Sequence, residues 1–256
     1  MTEPERGRVL IAGESWVMHT IHQKGVDSFT TTDYGEGHQF LAAALEAGGF
    51  AVEHLPNHLA SSRFPSDPAA LADYDVVILS DIGANTLLLS PDTFVRSLPT
   101  PNRLRLLRDY VAAGGGLVMV GGYLTFSGIE GKGRYAGTAV EEALPVLIQA
   151  VDDRVERPEG VLPRLVDADH RIVAGLPETW PALLGYNRLT ARPEATVVAA
   201  VDDDPLLAVW DYGRGRAVAF ASDCGPHWAP PAFCEWDGYA LLWQGIATWA
   251  AGQGRA

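Results

Sequence analysis

Apolar runs that alternate with helix-periodic segments fill the first half of this 256-residue chain, and that alternation constrains its fold more than any other feature. Residues 8–13, 50–55, 75–80 and 117–120 read as strands, the third continuous enough to be buried on both faces. Residues 36–47 repeat apolar side chains at helical spacing (Phe40, Leu41, Ala44, Leu45) until Gly48-Gly49 stops them. Residues 101–113 form another helix, with Asn102 near its start and three glycines ending it. Such alternation implies a mostly parallel sheet covered by helices on both faces. The second half reads differently. Residues 196–201, 206–212 and 216–221 are short strands, and Gly213-Arg214-Gly215 joins the last two as a hairpin. They add antiparallel strands to the sheet. Residues 236–251 close the chain as an apolar helix. A long loop is expected from the first strand to about Gly35, and residues 152–190 look loop-rich. No repeat or linker divides the chain, so residues 1–256 are expected to form one domain.

Composition narrows the partners. Hydrophobic residues make up 47% of the chain, enough for a full core. The formal charge of -13 is spread along the sequence, which argues against nucleic acid and membrane surfaces, since both repel an acidic protein. The charge-free stretch 114–129 is broken by six glycines and reads as strand plus turn, not as a span. Met1–Arg8 is polar, without a signal-peptide core, and the only cysteines are Cys224 and Cys234. A reducing cytoplasmic setting is expected.

In an open parallel sheet, ligands bind at the carboxyl ends of the strands. Four strand ends here deliver polar groups: Glu14-Ser15-Trp16, Asp81 to Asn85, Gly121-Gly122-Tyr123, and Asp223-Cys224-Gly225-Pro226-His227-Trp228. Glu14, Asp81, Tyr123, Asp223, Cys224 and His227 are therefore the candidate catalytic residues around a small-molecule site. Each also has a plainer reading. Asp81 and Asp223 suit turn caps, Tyr123 and Trp228 suit the core, Cys224 suits a small buried position, and His227 suits a structural hydrogen bond. No cofactor motif is legible. His19 and His22, three apart, would share a helix face as metal ligands, and His38 follows, but the spacing fixes no third ligand. A long polar loop of this kind equally reads as a lid or subunit contact. Trp228, Trp236, Trp243 and Trp249, with Pro230-Pro231 and Phe233, crowd the last quarter and suggest a homo-oligomer anchor, or else the packing of the last helix on its own sheet.

These strings resemble a known group. Gly13 to Trp16, His22 to Phe29, Leu79 to Asn85, Gly121 to Tyr123, Gly128 to Lys132 and Ser222 to Trp228 look like the putative glutamine amidotransferases of the class I glutamine amidotransferase-like superfamily. The resemblance implies a flavodoxin-like three-layer α/β sandwich. It extends to trehalose-utilisation proteins and to a non-catalytic domain of some β-galactosidases, relatives linked to sugars or to oligomer formation. In active class I members a strand-turn-helix elbow carries a cysteine, activated by a histidine that a glutamate orients. Tyr123 stands at that position here, at the end of Val120-Gly121-Gly122. A phenol with a pKa of about 10 is a poor acyl nucleophile beside a thiolate. No His-any-Glu pair ends the chain, because His227 is followed by Trp228 and Ala229.

The expectation is thus an enzyme of non-standard chemistry on a small polar, sugar-related molecule. Glu14, Asp81 or Asp223 would serve as acid or base, His227 as proton shuttle and Tyr123 as an orienting donor. A non-catalytic binding or assembly module on the same fold is the alternative. A hydrolase using Cys224 with His227 is a third.

Overall fold

The computed structural model describes residues 6–252, so residues 1–5 of the polar N-terminal segment lie outside the described residues. In chain order the strands are β1 (Gly7–Gly13), β2 (Ser15–Lys24), β3 (Asp27–Glu36), β4 (Phe50–Leu55), β5 (Val76–Ser80), β6 (Gly116–Val120), β7 (Val146–Ile148), β8 (Arg154–Val161), β9 (Arg164–Leu165), β10 (Leu183–Asn187), β11 (Leu189–Ala191), β12 (Thr196–Val201), β13 (Asp204–Tyr212) and β14 (Gly215–Phe220). The α-helices are α1 (Gln39–Ala47), α2 (Asn57–Arg63), α3 (Pro68–Ala72), α4 (Ala84–Leu88), α5 (Pro91–Phe94), α6 (Arg103–Ala112), α7 (Ala139–Ala143), α8 (Pro231–Cys234) and α9 (Tyr239–Ala250).

Eight strands form the main sheet in the order β4-β1-β5-β6-β14-β13-β12-β9. The pairs from β4 to β14 are parallel, and those from β14 to β9 are antiparallel. This is the flavodoxin-type α/β arrangement with an antiparallel extension. Every residue of β5, β6 and β14 is buried, as strands covered on both faces must be. Helix α9 packs on α1, β6 and β14 on one side; α6 packs on β6, β14, α3, α4 and α7 on the other. Helix α6 begins where Asn102 Oδ1 accepts from the backbone amides of Leu104 and Arg105, both at 3.1 Å, which satisfies two otherwise orphaned donors. Among the described residues no helix is long and apolar enough to cross a membrane.

Several boundaries differ from the sequence reading. Helix α1 starts at Gln39, because Glu36 ends a strand. The closing helix starts at Tyr239, after the separate turn of α8. Residues 152–190 contain β8, β9 and β10, with β8 and β10 paired as a small sheet.

The segment expected to be a loop is a hairpin. Strands β2 and β3 pair from Ser15 with Glu36 to Lys24 with Asp27, and Gly25 (φ +63°) supplies a left-handed turn residue. His19 and His22 therefore sit on a strand, where residues three apart face opposite sides. Each imidazole instead contacts a threonine across the ribbon: His19 with Thr32 at 2.9 Å, His22 with Thr31 at 3.1 Å. The shared-face metal pair is thereby excluded.

Three of the four C-terminal tryptophans are internal, and the fourth, Trp236, is partly buried. Trp228, Trp243 and Trp249 are buried, Trp243 lies 5.1 Å from Phe220 between ring centroids, and Trp236 packs on Trp180 at 5.4 Å. They fasten α9 and its preceding loop to their own sheet, so they do not supply an external anchor.

Candidate functional site

The site forms where the strand order reverses. Strand β1 lies between β4 and β5, and the crevice at the carboxyl end of that arrangement is where open α/β sheets bind ligands. Two carboxylates emerge there, and both sit in the left-handed backbone region: Glu14 (φ +47°) after β1 and Asp81 (φ +44°) after β5. Non-glycine residues adopt this conformation at a cost, and here it recurs at two adjacent strand ends. Gly13 makes the turn possible. It has φ +116°, and an added Cβ would lie 1.7 Å from the Ser80 carbonyl oxygen.

Glu14 is buried, and the Ser80 hydroxyl donates to its Oε1. Burial, followed by the charges of Asp223 and Asp81, holds its carboxyl well above the ordinary glutamate range. Asp81 is also raised, by burial first and then by Asp223, although its Oδ1 accepts from the Leu124 amide at 2.9 Å. Asp223 follows β14 and is nearly buried. Its Oδ1 accepts from the Cys224 amide at 2.8 Å, and its Oδ2 meets His227 Nδ1 at 3.2 Å. Burial pushes the His227 imidazole down, but the Asp223 hydrogen bond and the charges of Asp223, Asp81 and Glu156 outweigh it, so the net shift is upward.

Tyr123 stands beside His227, ring edge to face at 4.3 Å between centroids. Its hydroxyl donates to Glu156 Oε1 at 3.1 Å, and the Arg154 guanidinium lies 4.8 Å from its ring centre. Burial and the Glu156 charge raise the phenol further, so it keeps its proton. Trp228 Nε1 donates to the other oxygen of Glu156 at 3.0 Å. Glu14, Asp81, Tyr123, Asp223 and His227 thus line one cavity of about 280 Å³, together with Trp16 and Gly37.

Two expectations fail here. Val120-Gly121-Gly122-Tyr123 is not a strand-turn-helix elbow. No α-helix follows β6 directly; the chain runs through an irregular loop to a short 3₁₀ turn at Ile129–Gly131. The left-handed residue is Gly122 (φ +151°), not Tyr123. The backbone is braced otherwise. Asn187 accepts from the Gly122 amide at 2.9 Å and donates to Asp153 at 2.8 Å, while Asp153 accepts from the amides of Ser127 and Gly128.

Cys224, for its part, turns its thiol toward Ser80 and is not among the residues that line the cavity. Its thiol is fully buried and lies 3.6 Å from Ser80 Oγ. Burial, then Glu14 and Asp223, push it well above the ordinary thiol range, so the reactive thiolate is suppressed.

Glu156, Asn187 and Asp153 belong to the site's support and were not singled out from the sequence. They come from β8, β10 and the loop between β7 and β8, and only folding brings them under the loop after β6. Among the described residues, two groups have the chemistry to hold a cation: Glu14, Asp223 and Cys224 in the interior, and Glu36, His38 and His54 beside the cavity.

Comparisons with known proteins agree with this architecture. The family model described as putative glutamine amidotransferase matches residues 8–251. No curated protein matches the chain. It is similar to the solved structure of cytoplasmic protein STM1381 from Salmonella typhimurium LT2, with 45% identity, a TM-score of 0.92, and coverage of 95% of this chain and 99% of that one. Cytoplasmic protein STM3548 from Salmonella typhimurium is similar at 43% identity and TM-score 0.92, over 94% of this chain and 98% of that one. A putative thua-like protein from Parabacteroides merdae shares the fold at 18% identity and TM-score 0.54, over 96% of this chain and 91% of that one.

Proposed function

The chain belongs to the putative glutamine amidotransferase family, and from that premise and the cavity's side chains we propose an acid–base enzyme acting on a small neutral polar molecule. One observation carries the reading. The Asp223–His227 pair lines the same cavity as Glu14, a carboxyl that resists ionisation. Environments that separate the proton affinities of neighbouring groups divide the work of acid and base. Asp223 orients His227 to take a proton, Glu14 gives one, and Tyr123 and Asp81 orient the substrate.

The surroundings favour a polyhydroxylated or amide-bearing ligand. Asp223 and nearby Glu156 repel anions, and these carboxylates with the Glu14 and Asp81 carboxyls accept hydrogen bonds from hydroxyl or amide groups. Trp16 and Tyr123 offer ring surface to the apolar faces of such a molecule. The volume of about 280 Å³ suits one small unit. Cleavage of glutamine through a thioester is not part of this reading, because neither Tyr123 nor Cys224 offers a usable nucleophile. A cytoplasmic setting is, since both cysteines are free and the two Salmonella proteins carry that name.

A thermal-shift screen of neutral sugars, polyols, amides and amino acids tests it. A ligand at about a hundredfold excess over its Kd stabilises by about 2.7 kcal/mol, worth several degrees in a chain of this size. The shift is expected from a neutral polar compound and is lost in Asp223→Asn. Glutamine hydrolysis that Cys224→Ala abolished would refute the assignment. Binding with no turnover of the bound compound would identify a module that has lost its chemistry.

Self-association also belongs to this proposal, with the β2–β3 hairpin as its surface. A two-stranded ribbon is marginal alone in water, yet this one exposes Val17, Met18, Ile21, Val26 and Phe29. A second copy of the same ribbon, related by a two-fold axis, covers the face that carries Val17 and Ile21 by self-complementarity. Light scattering at micromolar concentration is expected to give a multiple of the 27.5 kDa chain mass, and Val17→Asp with Ile21→Asp to return it to one chain. A monomer mass for the unaltered protein would refute this.

A further inference from the structure

Beside the cavity, on the far side of Gly37, three side chains converge from separate elements. Glu36 ends β3, His38 precedes α1, and His54 lies near the end of β4. The two imidazoles are stacked, with centroids 3.5 Å apart and planes 18° from parallel, so the His38 ring must turn before the in-plane lone pairs of both rings can meet one ion. His38 Nδ1 is buried and has no hydrogen-bond partner. Glu36 Oε2 is its nearest anionic neighbour, at 3.5 Å. That is long for an N–H···O bond, which clusters near about 2.9 Å. It is close to the edge of a tetrahedron built on metal–ligand bonds of about 2.0–2.1 Å, roughly 3.3 Å. One ligand atom from each of the three residues lies within 4.8 Å of the others.

The outer contacts match as well. The Tyr34 hydroxyl donates to Glu36 Oε1, which orients the carboxylate and leaves Oε2 toward His38. His54 Nε2 lies 2.8 Å from the Gly13 carbonyl oxygen. A carbonyl only accepts, so Nε2 carries the proton and Nδ1 keeps its lone pair. Metal-binding histidines characteristically fix their tautomer by such a bond to a carbonyl.

We propose that Glu36, His38 and His54 form a binding site for one first-row divalent cation of the zinc type. Imidazole nitrogens with a single carboxylate suit zinc, iron, nickel or copper better than calcium or magnesium. All three residues are only partly buried, so a further coordination position stays open to water or a ligand. The ion ties the hairpin base to α1 and β4. Gly37, between two of its ligands, also lines the carboxylate cavity, where an added Cβ would come 2.7 Å from Glu14 Oε2. The site does not depend on the acid–base assignment and stands or falls by metal binding alone.

The test uses the full chain, stripped with chelator and titrated with zinc by calorimetry, with bound metal counted after gel filtration. One zinc per chain and a higher Tm are expected. Glu36→Gln and His38→Asn abolish the stoichiometric binding, Tyr34→Phe weakens it about 10–100-fold, and His22→Ala leaves it intact. Circular dichroism checks that each variant is folded. Cobalt in the unaltered protein supplies a reading that needs no variant: a nitrogen–oxygen site gives visible ligand-field bands with no thiolate charge-transfer band. Absence of stoichiometric binding overturns the proposal. So does a thiolate band that Cys224→Ser removes, since the ion would then lie with Glu14 and Asp223 in the interior.

Discussion

Gly13→Ala is expected to abolish folding, or to cost more than about 4 kcal/mol, the range reserved for severe core clashes and forced backbone. Two independent faults coincide at this residue. Its φ of +116° is strained for any side chain, and the new Cβ would overlap the Ser80 carbonyl oxygen at 1.7 Å. Relief by movement is closed off. Gly13 is the last residue of β1 and is in register with Ser80 of β5, two central strands of the sheet. Moving either strand disturbs the core, and it also displaces Glu14, whose amide donates to that same Ser80 carbonyl at 3.0 Å. Gly25→Ala is the control. It also has positive φ, +63°, but no atom lies within 4 Å of the added carbon. Its cost is only the backbone term of about 1–2 kcal/mol. Urea unfolding of both variants measures the contrast. A Gly13→Ala protein whose Tm lies within about 2–4 °C of the parent, a shift worth about 1 kcal/mol, would show that the close approach is not required.

The rim of the site was legible because buried parallel strands are unbroken apolar runs. β1, β5, β6 and β14 announce themselves, and the polar residue after each is automatically a residue at the sheet's carboxyl end. That reasoning reaches Glu14, Asp81, Tyr123 and Asp223 without knowing a single contact. It fails where the information lies in partners far apart in sequence. Glu156 holds both Tyr123 and Trp228, yet it occurs in a segment with no clear period. The hairpin was missed for a related reason. Its strands carry Thr20, Thr30, Thr31 and Thr32, good strand formers, but with both faces exposed there is no alternation of apolar and polar residues to read. Gly121-Gly122-Tyr123 resembles an elbow in sequence, but a glycine pair permits many backbone paths, and this chain takes one that places the left-handed angle on Gly122. The tryptophans show the limit of composition: aromatic crowding marks packing, and only the fold says whether the packing is internal.

Glu14→Gln is expected to move activity and stability in opposite directions. A glutamine cannot release a proton, so turnover of the ligand found by screening falls about 10²–10⁴-fold, the usual contribution of a general acid. Stability behaves otherwise. The folded protein holds the Glu14 proton well above the ordinary glutamate value, chiefly because of burial. An unfolded chain releases that proton near about pH 4.3. The stabilisation from holding it is complete below that pH and is lost as pH rises toward the folded value. Glutamine has the same shape, still accepts from the Ser80 hydroxyl, and has no proton to lose. The variant therefore matches the parent in Tm near pH 4 and exceeds it near pH 8, each kcal/mol appearing as about 2–4 °C. A carboxylate kept for structure would behave in the reverse sense, because its loss at neutral pH would weaken the fold. Thermal unfolding across pH 4–8, beside kcat and KM for both proteins, separates the two cases. A Tm that falls by the same amount at every pH, or a kcat that does not change, would remove Glu14 from the acid role and leave the proton source to Asp81.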